Sequence, residues 1–427
     1  MNAFRPYVKT LTELYSSAAS GGLAPGLLPV IEEALDGGPR RALRELVPLQ
    51  LRRSTGAFFT GGDLVRPVLA GFVKSMNSQS RILDPACGVG DLLISCARLW
   101  AEGAPAAEIS ALSRNLAGLD REPEFIEAAR IRLALWHLTA AQTRDLPKCK
   151  PADFSQIRTG DTLDDAEQLG VATHILLNPP FNMIRTQATP FCGPGLVSSA
   201  ALFVAHVIEN SSPGCRVLAI LPDVLRSGSR YRAWREYISG KAKFGRTILL
   251  GQFDRYTDVD VFAQELEVAL PKRRAPIVSR SSPKETVSKK YNVSVGAVVD
   301  YRDPKVGVKR PYATAKSLPA WTVIRRIGKR RAFVGKVVEG PFIVVRRTSR
   351  VGDRYRALAA IVQTRRPVAV DNHLIVIQPK NGKLSACIYL LRILRRDSTN
   401  RWLDQRIRCR HLTVAAVSEL PIERSQK

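Results

Sequence analysis

Residues 81–93 read RILDPACGVGDLL, and this stretch decides the fold class of the chain. A short apolar segment around Ile82 and Leu83 runs into a Gly-x-Gly turn, and an apolar helix follows as far as Trp100. Gly88 and Gly90 permit a tight turn that brings the backbone close to a ligand. The unpaired N–H groups at the start of the helix point to the same place. The pattern predicts an α/β sheet with a ligand site at its strand ends.

The chemistry of this turn argues against a phosphate ligand. Leu93 and Ile94 stand near the position where a third glycine of a dinucleotide motif is needed, and no Lys-Ser/Thr pair follows the turn. Asp84, directly before the turn, would repel a pyrophosphate but suits a cationic group such as an amine. The turn alone is a weak signal, and its meaning depends on the neighbouring segments.

Three further segments place polar side chains where strands are predicted to end. The segment Leu116–Asp120 ends in an acid and precedes a predicted helix over residues 123–138. An acid at this strand tip accepts ribose hydroxyls in nucleotide-binding α/β folds. Residues 157–161 (IRTGD) again end in an acid, Asp161, and residues 56–60 (GAFFT) form an upstream turn that carries a hydroxyl on Thr60.

The fourth segment is residues 172–181, ATHILLNPPF. It predicts a short buried strand with Asn178 at its carboxyl end. Two consecutive prolines cannot donate to a strand ladder and hold the chain extended. Their carbonyls and the Asn178 amide are therefore expected to accept hydrogen bonds, as an exocyclic amine on a flat ring would require, while Phe181 offers a face for stacking. A simple strand-to-loop turn is the alternative for an isolated motif, and the accompanying acids argue against it.

Taken in order, these motifs resemble the class I S-adenosylmethionine-dependent DNA adenine N6-methyltransferases of restriction-modification systems, in which cofactor motifs come first and the target-recognition domain last. The resemblance implies a Rossmann-like methyltransferase sheet with helices on both faces over residues 51–270, a helical lead at 1–50 and a basic α+β DNA target-recognition domain at 271–427. It also implies S-adenosyl-L-methionine as cofactor, double-stranded DNA as substrate, and no metal. The implied cofactor residues are Thr60, Asp84, Ala86, Gly88 and Gly90 for the methionine moiety, Asp120 for the ribose and Asp161 for the adenine amine; the implied catalytic residues are Asn178, Pro179, Pro180 and Phe181.

The resemblance implies a mechanism as well. Asn178 and the Pro179 carbonyl would accept the amine protons of an adenine that has been flipped out of the duplex, with Phe181 stacking on the base. Phe262 is a candidate for a second stacking aromatic. Two residues depart from the family pattern: Arg121 stands where an aliphatic residue usually covers the cofactor adenine, and Leu92 replaces an aromatic after the glycine turn.

Charge divides the chain into two parts. Residues 1–270 carry 29 Lys and Arg against 28 Asp and Glu, whereas residues 271–427 carry 36 against 10. Such a basic segment is typical of a polyanion-binding domain. Residues 271–290 are predicted to form a linker or a basic loop. Strand-like residues at 341–346 and 373–377, and helical spacing from Leu384 to Leu394, predict that the basic part folds.

Composition narrows the class of protein. A hydrophobic content of 45% in 427 residues suits a globular chain with more than one core. No apolar stretch approaches membrane-spanning length, and the first residues lack a signal-peptide core. Seven scattered cysteines without a Cys-x-x-Cys pair indicate a reduced, cytoplasmic chain without zinc, with Cys87 and His174 as packing residues. An amphipathic lead over residues 24–50 either covers the cofactor site or supports the sheet.

Other functions share some of these features. Methylation of protein glutamine uses the same tetrapeptide, although the basic half argues against it, and an RNA adenine methyltransferase would share both charge and motif. A catalytically silent DNA-specificity module is opposed by the intact acids. The chain contains no Glu-x-Lys, and its single Asp-x-Lys is residues 303–305. We therefore expect a modification enzyme without its own cleavage domain. The sequence leaves open whether a separate restriction endonuclease or defence-system subunits accompany it.

Overall fold

The computed structural model describes residues 2–55, 62–142, 146, 148–254, 257–269, 285–316, 318–350, 352–407 and 411–422. Thr60, the turn that contains it and residues 270–284 lie outside the described residues. The chain forms two compact units: Met1–Leu225 with Ala233–Pro276, and Arg226–Arg232 with Ile277–Lys427. The N-terminal lead belongs to the first unit.

The first unit begins with helices. Prolines occupy the first turn of three of them, where the missing N–H costs nothing because it would have no partner in the helix. The helical lead predicted over residues 24–50 is helical in the structure, where it contains two short helices and the start of a third. The N-terminal helices are α1 (Arg5–Gly21), α2 (Leu28–Leu35), α3 (Gly38–Leu46), α4 (Leu49–Thr55) and α5 (Gly62–Val73).

A mixed sheet forms the centre of this unit. Five of its strands run parallel, and four of them are short and mostly buried and apolar, as expected when helices cover both faces. In chain order the strands are β1 (Ile82–Asp84), β2 (Leu116–Asp120), β3 (Ile157–Thr159), β4 (His174–Leu177), the hairpin β5 (Met183–Thr186) and β6 (Gly195–Ser198), then β7 (Arg216–Pro222), β8 (Ala242–Asp254) and β9 (Thr257–Val268). The sheet order in the described residues is β3-β2-β1-β4-β7-β9-β8, with β9 antiparallel to both of its neighbours.

Helices connect these strands. The predicted helix after the glycine turn is confirmed, and the one beginning at Pro123 runs four residues beyond its predicted end. They are α6 (Asp91–Ala101), α7 (Ala106–Asn115), α8 (Pro123–Gln142), α9 (Glu167–Val171), α10 (Ser199–Asn210), α11 (Asp223–Ser227) and α12 (Arg232–Ser239).

The lead helices share the core of the sheet. Phe4, Leu11 and Ile31 are buried in the same hydrophobic cluster as Leu93 on α6, and α1 and α2 both pack on α8. One side chain ties these parts together: Arg132 of α8 is fully buried and donates to the carbonyls that end α2. Within the described residues the lead therefore supports the helical layer beside the sheet.

The second unit has its own core. Its five-stranded sheet places strands in the order Tyr291–Val295, Leu374–Pro379, Phe342–Arg346, Ala359–Val362 and Val323–Ile324, and the helix Leu384–Leu394 packs on this sheet. The strands predicted at 341–346 and 373–377 and the helix predicted from Leu384 to Leu394 are present. The elements are α13 (Val287–Lys290), β10 (Tyr291–Val295), β11 (Lys309–Ala313), β12 (Val323–Ile324), β13 (Arg330–Ala332), β14 (Phe342–Arg346), β15 (Ala359–Val362), β16 (Ala369–Val370), β17 (Leu374–Pro379), α14 (Leu384–Leu394), α15 (Asp397–Arg406) and α16 (Val414–Ser418).

Candidate active site

The carboxyl ends of β3, β2, β1 and β4 meet along one edge of the sheet. The parallel register sets Leu83 opposite Ile175, and Asp84 opposite Gly118. Asp120 is the last residue of β2, and Asn178 directly follows β4. The predicted strand tips therefore lie side by side, at the edge where open α/β sheets bind ligands.

Asp84 is an almost fully buried carboxyl at this edge. The residue is 1% exposed, and Oδ1 accepts the Ala86 N–H at 3.1 Å. Burial raises the pKa of Asp84 to about 8, and the nearby Asp120 carboxylate adds to the rise. No cation pairs with Asp84 among the described residues. A buried carboxyl without a counter-ion suits a ligand that brings a positive charge.

The glycine turn follows Asp84. Gly88 and Gly90 have φ values of 50° and 84°, a left-handed conformation that other residues rarely adopt. A Cβ atom on Gly90 would lie 3.3 Å from the Cβ of Ala129 on α8, so the turn also packs closely against that helix. Both glycines are needed for the shape of this turn.

Asp120, at the end of the neighbouring strand β2, is hydrogen-bonded to the glycine turn. Its Oδ2 accepts the Gly88 N–H at 2.9 Å, and its Oδ1 accepts the Glu122 N–H at 3.0 Å. Burial raises the pKa of Asp120 to about 6, although these backbone donors oppose the rise. Each carboxylate oxygen has a second lone pair, so Asp120 can still accept from ligand hydroxyls.

Asp161 lies beyond β3 and already has a charged partner. Its Oδ1 accepts the Leu163 N–H at 3.0 Å, and its Oδ2 lies 2.6 Å from Arg121 Nη2. The Asp161 side chain is 16% exposed and that of Arg121 is 76% exposed. Arg121, expected to cover the cofactor adenine, thus pairs in this structure with the acid expected to bind that ring's amine.

The NPPF motif forms the turn after β4. Asn178 is half-buried and Pro179 is buried. The Pro180 carbonyl already accepts a hydrogen bond from the Ser199 hydroxyl, so a ligand could use only its second lone pair. Ser199 also contacts Asn182 Oδ1 at 2.6 Å, so the start of α10 fixes the turn.

Phe181 packs against an aromatic ring that the sequence did not identify. Its ring centroid lies 5.3 Å from that of Phe253 on β8, with the planes at 71°. Phe262, the expected second aromatic, is 3% exposed within β9, where it pairs with Leu221 and Leu249. Phe253 therefore replaces Phe262 as the aromatic beside the NPPF turn.

Sequence reasoning missed other residues that shape this edge. The buried Thr162 hydroxyl donates to the Pro85 carbonyl and so joins the β3 tip to the glycine turn. Arg132 donates to the Val89 carbonyl within that turn and lies 2.8 Å from Asp91 Oδ1. A small hydroxyl or a lone helical arginine carries no pattern in sequence that would reveal such a contact.

Three comparisons place the chain among known proteins. Residues 47–250 match the family model described as N-6 DNA Methylase. The chain is 26% identical over 198 residues to the type I restriction enzyme StySPI methylase subunit of Salmonella potsdam, and equally to the EcoKI methylase subunit of Escherichia coli strain K12. Each alignment covers 42% of this chain and 34% of the relative, so the chain spans about a third of the length of these curated relatives.

Solved structures share the fold. The type IIL restriction-modification enzyme MmeI, solved in complex with DNA, matches with a TM-score of 0.54 and 14% identity, over 88% of this chain and 69% of that chain. At this identity the likeness shows the fold alone. No helix in the described part of the chain is both long and apolar enough to cross a membrane.

Proposed function

We propose, from the premise that residues 47–250 belong to the N-6 DNA methylase family, that this chain methylates the N6 amino group of adenine in DNA with S-adenosylmethionine as methyl donor. The observation that carries the proposal is the arrangement along one sheet edge. Two carboxyls with raised pKa, Asp84 and Asp120, flank a left-handed glycine turn, and the Asn178 amide follows the neighbouring strand.

The residues present fit this cofactor. Asp84 is buried without a cationic partner in the described part of the chain, and its ionised form matches a positively charged methionine moiety. The turn from Ala86 to Gly90 presents backbone to the same place, Asp120 keeps acceptor capacity for ribose hydroxyls, and Asp161 would receive the adenine amine. When bound, S-adenosylmethionine supplies an electrophilic methyl group. Thr60, expected on the methionine side, lies outside the described residues.

The NPPF turn would prepare the attacking nitrogen. The lone pair of an adenine amine is delocalised into the ring, which makes the nitrogen a poor nucleophile. If the Asn178 side-chain oxygen and the Pro179 carbonyl accept hydrogen bonds from its two N–H groups, the nitrogen becomes more nearly tetrahedral and its lone pair is localised. Acceptors that the fold already holds in place need no reorganisation during the reaction. The Ser199 bond to Pro180 supplies part of that rigidity.

Phe181 and Phe253 would bind the target adenine. Stacking on Phe181 requires a base that has left the duplex, so base flipping is part of the proposal. The edge contact between Phe181 and Phe253 leaves no room for a ring between them, so the two rings would separate when the base enters. Phe253 is thus the proposed second aromatic.

The basic unit supports DNA as the substrate. Residues 271–427 carry 36 Lys and Arg against 10 Asp and Glu, which favours a polyanion over a protein glutamine. We propose that this unit binds the target and that further subunits assist, as the word subunit in the names of the type I relatives suggests. RNA methylation and a silent specificity module are the alternatives that the experiment below separates.

Asn178→Ala tests the proposal. It should lower methyl transfer by about 10²-fold or more, the scale on which a lost preorganised contact acts, while cofactor and DNA affinity stay unchanged. Asn210→Ala, an exposed asparagine near the end of α10, is the matched control and should keep full activity. The readout is tritium transfer into adenine-containing duplex, followed by nucleoside analysis. Full activity of Asn178→Ala, or label only in RNA or in protein, would refute the assignment.

A further inference from the structure

Four side chains form an aromatic–arginine cluster on the second unit. The rings of Trp321 and Tyr355 meet edge to face, with centroids 4.9 Å apart and planes at 66°. The Arg354 guanidinium lies 5.4 Å from the Tyr355 ring, and that of Arg395 lies 5.9 Å from the Trp321 ring. We call these four residues the Trp321 cluster.

Trp321 is held in an unusual backbone conformation. Its φ is 62°, which is rare for a bulky residue, and its N–H donates to the Ala359 carbonyl at 2.7 Å. Such outliers persist where the surrounding structure fixes them, and they concentrate at binding sites. Here the Trp321 backbone is bonded to β15 while its indole contacts the Tyr355 ring.

Three strongly basic segments meet at this cluster. Residues 318–331 contribute Trp321, residues 346–356 contribute Arg354 and Tyr355, and residues 392–401 contribute Arg395; together the segments contain 14 Lys and Arg against two Asp. Arg354 and Arg395 are exposed, and neither forms an ion pair with a carboxylate in the part of the chain that the structure describes. Placing cations together without a counter-ion is unfavourable, which points to an anion supplied from outside.

The pKa of Tyr355 reflects the positive charges of the neighbouring arginines. A hydrogen bond from Arg395, followed by the charges of Arg354 and Arg395, lowers the pKa of the Tyr355 phenol below its ordinary value. Its oxygen is thus occupied as an acceptor from these arginines. The remaining guanidinium N–H groups are donors, and such forks suit the oxygens of a phosphate.

We propose that the Trp321 cluster contacts the sugar–phosphate backbone of duplex DNA: Arg354 and Arg395 bind phosphate, and the edge of the Trp321–Tyr355 pair packs on deoxyribose. This inference rests on the proposed function, because it assigns part of the surface by which the chain holds its substrate. Backbone contacts carry no sequence information, so the cluster sets affinity and register but not the recognised sequence.

The test is the salt dependence of duplex binding by the full chain. Arg354→Gln and Arg395→Gln should each reduce the slope of log affinity against log salt by roughly 1, and the double variant by roughly 2. The reduction should be the same on a methylated target and on an unrelated duplex. Arg365→Gln, an exposed arginine outside the three segments, is the control and should change the slope by less. Tyr355→Phe should weaken binding while the melting temperature stays constant.

Each outcome decides the proposal. Slopes equal to the control, an effect confined to one duplex sequence, or loss of RNA binding with duplex binding intact would overturn it. Failure of the proposed function is a separate result. The unaltered chain would then transfer no methyl group to adenine, whatever salt dependence of duplex binding the arginine variants show. If both proposals hold, the arginine variants methylate normally once the duplex is saturating.

Discussion

Asp84 allows the electrostatics of the candidate site to be tested by proton counting. Burial raises the pKa of Asp84 from its ordinary value of 3.8 to about 8. Between these values the folded chain binds a proton that the unfolded chain has lost. The contribution of Asp84 to stability is therefore fully present below about pH 4 and is lost as the pH rises towards 8, by at most about 1.4 kcal/mol per pH unit.

Cofactor affinity should follow the opposite trend. A positively charged methionine moiety requires the ionised form of Asp84, so binding must release the proton. Below pH 8 the cofactor affinity should therefore fall by up to about tenfold for each unit by which the pH decreases. At pH 7 release of close to one proton is expected from Asp84, while Asp120, with its pKa of about 6, should contribute less.

Calorimetric titration in two buffers of different ionisation enthalpy measures this proton release. Asp84→Asn is the perturbation, because it keeps the shape of the side chain. Protons that the ligand itself releases are the same for both proteins, so the difference in proton release between the variant and the unaltered chain belongs to Asp84. The variant should also show a flatter dependence of stability on pH between 5 and 8. Equal proton release by the two proteins would refute the reasoning.

Two further variants test contacts that the structure revealed. Arg121→Leu removes the 2.6 Å pair with Asp161. Because the guanidinium is mostly exposed, the free energy of unfolding should change by less than about 1 kcal/mol. Cofactor affinity should rise at low salt and the difference should fade at high salt, as titration at two ionic strengths would show. Arg132→Met leaves the Asp91 carboxylate without its buried partner and should cost about 3–5 kcal/mol in denaturant unfolding. Adding Asp91→Asn should recover part of that loss, and no recovery would mean that packing and not charge dominates.

The sequence predicted the tips of β1, β2 and β4 well because Asp84, Asp120 and Asn178 each follow directly after an apolar run. Leu116–Asp120 is a strand over its whole predicted length, and Asn178 follows β4 as expected. The alternation between apolar interior and polar tip is local, so it is visible without knowledge of the fold. The same holds for Leu384–Leu394, whose helical spacing matches its observed bounds.

The contacts across the edge could not be predicted in this way. Phe253 and Phe262 lie on the two strands of one hairpin, and β8 has register shifts between Leu249 and Gly251 and again near Gln252. Each shift changes which residues face the NPPF turn, because side chains alternate between the faces of a strand. The Arg121 pair and the Ser199 bond likewise depend on loop geometry.

The buried Arg132 side chain links the lead helices to the glycine turn of the candidate site. One guanidinium holds the last carbonyls of α2, the Val89 carbonyl and the Asp91 carboxylate, so the end of the lead and the glycine turn cannot move independently. Coupling between two sites is reciprocal. A ligand that immobilises the turn should therefore slow amide hydrogen exchange in residues 28–46. A partner that clamps those helices should tighten cofactor binding by the same factor by which the cofactor tightens the binding of that partner.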